Sequence, residues 1–260
     1  MNCLAGLMDH LYKFQLFLLL TLACLGQNGH GSDIINGKKV PPNSMLYMAS
    51  VQTVQGHVCG GFLVSEGFVL TAAHCGNENL TSVVLGTHNL NTVQQMIFIE
   101  KKCKPNTYKD VGYGDDIMLL KLGRKAQMDN SVQIIPLAET IININENAQC
   151  HVAGWGKTST RGRVVNELRM ADVSIIDPQV CKEKWPRLPH NVICAGGYGT
   201  NKGFCQGDSG GPLVCNGLAV GVVSFNKNFN CDYPDVPNVY TDITKHIYWI
   251  RSIIRQNNCF

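Results

Sequence analysis

Gly207-Asp208-Ser209-Gly210-Gly211-Pro212 is the stretch on which the reading of this chain turns. A serine set among glycines sits where the backbone can bend sharply and another chain can approach closely. Its hydroxyl is a weak nucleophile near neutral pH. It reacts when a base lies within hydrogen-bond reach and that base is held in one tautomer. Upstream, Thr71-Ala72-Ala73-His74-Cys75 offers an imidazole, and Asp116 opens the apolar run Asp116-Ile117-Met118-Leu119-Leu120. Taken singly, each has a plainer reading: a turn serine, a packed core histidine, an Asp115-Asp116 surface turn. In the order His, Asp, Ser they supply a base, an orienting carboxylate and a nucleophile.

The chain has 260 residues, 26 of them glycine, and only 16% charged side chains. That length suffices for one large or two small cores, and the glycine content suits an all-β protein rich in turns. From Ile34 onward, short apolar runs recur at 47–52, 61–64, 68–72, 83–85, 95–99, 117–122, 148–153, 170–175, 212–215, 218–224 and 238–240. Their spacing suits antiparallel strands in a closed or sandwiched architecture. Residues 126–136 read as a linker dividing the strands into two sets. At the C-terminus Ile243, Ile247, Ile250 and Ile254 form the stripe of an amphipathic helix, which Thr241 or Asp242 can cap.

Residues 14–25 are nearly all apolar, preceded by Lys13 and followed by small and polar residues. A membrane span needs about 20 residues. Residues 1–26 therefore read as a signal peptide, its cleavage falling between 26 and 31, and 27–33 as a short propeptide, leaving 34–260 as the mature domain; an uncut signal anchor is the alternative. Twelve cysteines, less Cys3 and Cys24 in the leader, leave ten. An even number in an exported chain reads as a disulfide framework, and no Cys-x-x-Cys or paired-histidine spacing supports zinc. Removing residues 1–33 takes away Lys13, Asp9 and Asp33, leaving 21 basic and 17 acidic side chains, a net of +4. That charge fits loose association with anionic glycans. No motif supports nucleic-acid binding, and no membrane span is expected in the mature form.

Together the three motifs resemble the chymotrypsin/trypsin-like serine peptidases over nearly all of 34–260, in a pattern closest to granzymes and mast-cell granule proteases. The resemblance implies two antiparallel six-stranded β-barrels, split near 126–136, with a final helix packed back on the first. It implies a serine endopeptidase working through an acyl-enzyme, with His74 as base, Asp116 as its orienter and Ser209 as nucleophile. The N–H groups of Gly207 and Ser209 would form the oxyanion hole. It also implies that the freed ammonium of Ile34 inserts beside the nucleophile and pairs with Asp208. Ile34-Ile35-Asn36-Gly37 resembles the mature start, with Asn36 where a glycine is often seen. Asp33, not Lys or Arg, stands directly before Ile34, so the activating peptidase is expected to be a dipeptide-clipping exopeptidase removing Ser32-Asp33. Such a product would be secreted or stored in granules.

Gly203 falls where the resemblance puts the floor of the primary specificity pocket and where trypsin-like relatives carry an aspartate. Without that charge, substrate Lys or Arg is not held. Asn226 and Asn238 fall in the pocket walls, Phe204 adds an apolar surface, and Gln206, Ser224 and Phe225 complete the substrate-binding set. Ser224-Phe225-Asn226 resembles the edge that pairs with the substrate backbone. A small or uncharged-polar residue is expected before the scissile bond. An aromatic or leucine preference is the alternative if either asparagine turns away. The bridges implied are Cys59–Cys75, Cys150–Cys215, Cys181–Cys194 and Cys205–Cys231, while Cys103 and Cys259 pair within the chain or between two chains.

Asn79-Leu80-Thr81 is an N-glycosylation acceptor. Lys101, Lys102, Lys104 and Lys109, with Arg251 and Arg255, form either a sulfated-proteoglycan site or a solvated face. Polypeptide substrates and serpin-type inhibitors are the other partners expected. Residues 88–99, where calcium-binding relatives hold their ion, contain no carboxylate, and neither a metal nor another cofactor is expected. Two other classes compete. One is a catalytically weak homologue acting as a binding or antimicrobial protein, although such relatives usually lose a triad member that this chain keeps. The other is an esterase of another fold, for which the strand–helix alternation is missing and the chain order is reversed.

Overall fold

The computed structural model describes residues 34–139, 148–233 and 235–259. The expected signal peptide and the Ser32-Asp33 dipeptide lie outside the described residues. Those described form strands β1 (Lys38–Lys39), β2 (Met48–Thr53), β3 (Gly56–Ser65), β4 (Phe68–Thr71), β5 (Ser82–Leu85), β6 (Gln95–Cys103), β7 (Met118–Leu122), β8 (Gln149–Gly154), β9 (Arg169–Ser174), β10 (Val192–Cys194), β11 (Pro212–Cys215), β12 (Leu218–Phe225) and β13 (Val239–Asp242). Two α-helices, α1 (Pro178–Lys184) and α2 (Ile247–Gln256), join them. Among the described residues no helix is long and apolar enough to cross a membrane.

The first six strands after β1 close into a barrel in the order β2-β3-β4-β7-β6-β5. Strands β2 and β4 are buried throughout; β4 reads as a nearly continuous apolar run, whereas β2 also buries Ser50, Gln52 and Thr53. Along β6, by contrast, Ile97 points inward while its neighbours Met96 and Phe98 are exposed, as a strand period of two requires. Phe62, Leu63, Leu70, Leu85, Ile97 and Leu119 fill the interior, and Val214, Ala219 and Val222 of the second sheet join the same cluster.

The second sheet has the order β1-β9-β8-β11-β12-β13-β10. An isolated bridge, Ile175↔Ala195, links the ends of β9 and β10, supported by Ile176 N–H to Cys194 C=O at 2.9 Å and Gly196 N–H to Ser174 C=O at 3.0 Å. This unit therefore differs from the expected six strands by one. The extra strand, β1, consists of two exposed lysines paired through their backbone with Arg169 and Met170, so no apolar pattern marks it.

Helix α1 begins where Asp177 accepts hydrogen bonds from the N–H groups of Gln179 (2.7 Å) and Val180 (3.0 Å), with Pro178 at the first helical position. Asp242 caps not the final helix but a separate 3-10 turn, Ile243–Lys245. Helix α2 then buries Ile247, Ile250 and Ile253, with Ile254 half-buried. Ile243, Ile250 and Ile253 pack into the first barrel's cluster.

Among the described residues five disulfides are formed: Cys59–Cys75, Cys150–Cys215, Cys181–Cys194, Cys205–Cys231 and Cys103–Cys259. The last lies within one chain and ties the end of α2 to β6 across 156 residues of sequence. On a chain-entropy estimate such a closure is worth about 5 kcal/mol.

Candidate active site

Pairing of β4 with β7 brings His74 and Asp116 together although 42 residues separate them. His74 lies in the 3-10 turn Ala73–Asn77 after β4, and Asp116 lies just before β7. The His74 backbone N–H donates to Asp116 Oδ1 at 2.8 Å, and His74 Nδ1 lies 2.7 Å from Asp116 Oδ2. Ser224 Oγ donates to the same Oδ2 at 2.5 Å, and Thr241 Oγ1 donates to the Asp116 backbone carbonyl at 2.9 Å. The carboxylate is thus held by side chains from the first barrel and from the second sheet. Burial alone would push its carboxyl up, but bonds and charge from His74, with Ser224, hold it below the ordinary value. An ionised Asp116 keeps the proton on Nδ1 and leaves Nε2 as an acceptor.

Hydrogen bonds fix the two peptides that lead into Gly207 and Ser209. The Gln206 carbonyl accepts from Lys157 N–H at 2.8 Å, and the Asp208 carbonyl accepts from Gly211 N–H at 2.9 Å. In a planar trans peptide the N–H points opposite to the carbonyl, so the N–H groups of Gly207 and Ser209 turn the other way. Gly207 has φ +97°, and a β-carbon there would meet Gly156 Cα at 2.9 Å. A side chain is excluded by conformation and by space.

His57, which the sequence reading did not single out, places its Nε2 3.0 Å from the Gly207 carbonyl and its Nδ1 2.8 Å from Ser50 Oγ. Burial lowers its pKa to about 4, so a neutral ring braces this loop.

Asp208 is wholly buried. Its Oδ1 accepts from Gly156 N–H at 2.7 Å and its Oδ2 from Cys205 N–H at 2.9 Å. Burial nevertheless pushes the carboxyl up to about 7, the two backbone bonds pulling the other way. Ile34 is also fully buried, packed with Phe204, Val223 and Tyr240, and Ile35 bridges Gly203. The start of the domain therefore lies against the 203–209 segment.

His74 and Ser209 line one cleft of about 570 Å³, with Phe204, Gln206, Gly207, Ser224, Phe225 and Asn226. Tyr108, Trp185 and Phe229 add aromatic walls, and Trp185 stands edge-on to Phe225 at 5.2 Å. Gly203 and Asn238 do not reach this cleft; both are buried behind it. A larger hollow of about 770 Å³ on the first barrel is lined by Glu66, Lys121 and Lys125 among others, which pair as Lys125–Glu66 (2.8 Å) and, with Glu100, Lys121–Glu100 (3.0 Å). It contains none of the reactive groups, so the chemistry belongs to the smaller cleft.

Asn79 is exposed on the loop after the 3-10 turn. In the basic cluster, Arg251 pairs with Glu139 at 2.8 Å, Lys101 donates to Asn258 at 2.7 Å, and Lys104 lies over the Tyr108 ring. The described residues bring Cys59, His74 and Cys75 close together, but both cysteines are bonded to each other and cannot bind a metal.

The trypsin family model matches residues 34–250. Duodenase-1 of Bos taurus is 38% identical over 246 residues, spanning 92% of this chain and 96% of that protein. Granzyme B(G,H) of Mus musculus is 35% identical over 252 residues, spanning 93% and 99%. The solved structure of neuropsin, a serine protease expressed in the limbic system of mouse brain, matches with a TM-score of 0.79 at 32% identity, covering 85% of this chain and 100% of that one. With a His–Asp pair and a serine on one cleft between two β-units, the chain belongs to the trypsin family. It is a serine endopeptidase, and its substrates are polypeptides.

Proposed function

We propose that the mature enzyme, starting at Ile34, hydrolyses peptide bonds through an acyl-enzyme on Ser209. Ser209 Oγ attacks the scissile carbonyl carbon while its proton passes to His74 Nε2. The oxyanion is held by the N–H groups of Gly207 and Ser209. The imidazolium then protonates the leaving amine as the C–N bond breaks. A water, deprotonated by His74, releases the acid and restores the serine. The observation that carries this reading is the Asp116 carboxylate fixed by three donors, two of them from His74. Such an arrangement fixes the tautomer a base needs.

The ammonium of Ile34, once free, pairs with Asp208, whose buried carboxylate has, among the described residues, only backbone partners to stabilise its charge. Removal of Ser32-Asp33 by a dipeptide-clipping exopeptidase would produce that start. Secretion or granule storage, a glycan on Asn79, sulfated proteoglycan on the Lys101/Lys102 face and serpin-type inhibition complete the proposal. Primary specificity is for small or uncharged-polar residues, since Gly203 supplies no carboxylate for Lys or Arg. Profiling the chain that begins at Ile34 on a peptide library tests this. Cleavage after small uncharged residues is expected, and efficient cleavage after Arg would contradict it.

A further inference from the structure

Resting on the endopeptidase reading above, we propose that Tyr233 closes the primary specificity pocket from behind and limits the residue before the scissile bond to a short side chain. The space over Gly203, expected as the pocket floor, is already occupied. A β-carbon built on Gly203 would lie 2.6 Å from Tyr233 Cε2 and 2.2 Å from Asn238 Oδ1. The Tyr233 hydroxyl donates to the Phe204 carbonyl at 2.5 Å and accepts from Asn226 Nδ2 at 3.2 Å. The Asn226 amide also donates to the Asn230 carbonyl at 3.0 Å, and Asn238 Oδ1 accepts from Phe204 N–H at 3.2 Å. The Asn226 amide is therefore committed to the surrounding loop and the Asn238 oxygen to the Phe204 backbone, and the Tyr233 ring fills the space that their turning away would have opened.

The ring is also firmly seated. It packs against Ile35 and the Cys205–Cys231 disulfide. Burial pushes its hydroxyl up to about 12, so it remains a neutral donor over the working pH range. Phe204, Asn226 and Phe229 line the cleft that holds Ser209, and Tyr233 lines a separate hollow of about 160 Å³ with Asn228 and Asn230. A substrate alanine or serine side chain stops short of the Asn226–Tyr233 bond. A phenylalanine or leucine must break that bond or move the ring. The limit is steric, and distinct from the missing charge at Gly203.

The test is a set of peptides identical except for Ala, Leu or Phe before the scissile bond, read as the ratio of kcat/KM values. The chain starting at Ile34 is expected to favour Ala over Phe by about 10-fold or more, since each misfitting methylene is worth about 10- to 200-fold. Tyr233→Ala should shift that ratio toward Phe by a factor in the same range, while Tyr233→Phe, which keeps the ring, should shift it far less. Asn226→Gly, which frees the hydroxyl's rim partner, should move it in the same direction as Tyr233→Ala and decides the matter if that variant fails to fold. A parent enzyme that takes a fluorophosphonate label yet cleaves after Phe as well as after Ala overturns the role of Tyr233 alone. A labelled Tyr233→Ala with an unchanged ratio does the same. A parent that takes no label overturns the endopeptidase mechanism beneath it.

Discussion

Asp116→Asn is expected to lower kcat near neutral pH by about 10⁴-fold while leaving the fold intact. The carboxylate accepts from the His74 backbone, from His74 Nδ1 and from Ser224 Oγ. An asparagine of the same shape can offer only one oxygen, and its NH₂ must face one of these donors. Turned toward His74, the amide donates to Nδ1 and drives the ring proton onto Nε2, the nitrogen that must accept from Ser209. Because Asp116 is held below the ordinary carboxylate range, it contributes stability above its unfolded value that is lost as pH falls through the depressed one. The native enzyme should thus keep an ionised Asp116 at any pH where His74 can act as a base. A kinetic comparison of the two proteins, with thermal melts to establish equal folding, checks this. A loss below about 10-fold would remove Asp116 from the mechanism.

The second large effect concerns the start of the domain. A chain that retains Asp33, or one carrying Asp208→Ala, is expected to be at least about 10²-fold less active than the chain beginning at Ile34. Leaving one member of a buried pair uncompensated costs about 3–5 kcal/mol, and each 1.4 kcal/mol is a factor of ten.

The two forms should lose stability with rising pH in different windows. In the uncleaved chain the Asp208 carboxyl lies at about 7, raised by burial above its ordinary value. The folded state then binds a proton more tightly than the unfolded chain. That stability is complete at about pH 4 and lost as pH rises through about 7. In the cleaved chain the free ammonium of Ile34 has an ordinary value of about 7.7–8.0, which the proposed pairing with Asp208 would raise. Its contribution is complete below that value and lost as pH rises through the raised one. Melting temperatures of both forms from pH 4 to 9 should therefore diverge between 4 and 7, and the cleaved form should lose activity only on the alkaline side. Equal activity of the two forms would refute the pairing.

Many strands were legible because burial on both faces makes them largely apolar, as in β4 and β11. Strand β10 was not, since three residues following Asn191 at φ 59° carry too little pattern. Helix α1 carried a readable start, Asp177-Pro178, but its seven residues bury only Cys181. At the site the three reactive groups could be found because each sits in a short, recognisable run. The residues that hold them could not. His57 meets Gly207 across 150 residues, Thr241 meets Asp116 across 125, and Tyr233 meets Phe204 across 29. Nothing local distinguishes a bracing histidine, threonine or tyrosine from an ordinary one, since the fold alone brings these partners together. The same holds for Asn238, expected in the pocket wall from its place in the sequence but buried behind the cleft.

The most direct measurement is labelling of the chain starting at Ile34 with a fluorophosphonate, followed by peptide mapping. One label per molecule on Ser209 is predicted, absent in Ser209→Ala and strongly slowed in His74→Ala. A folded, correctly processed chain that takes no label, or takes it on another residue, would contradict the account.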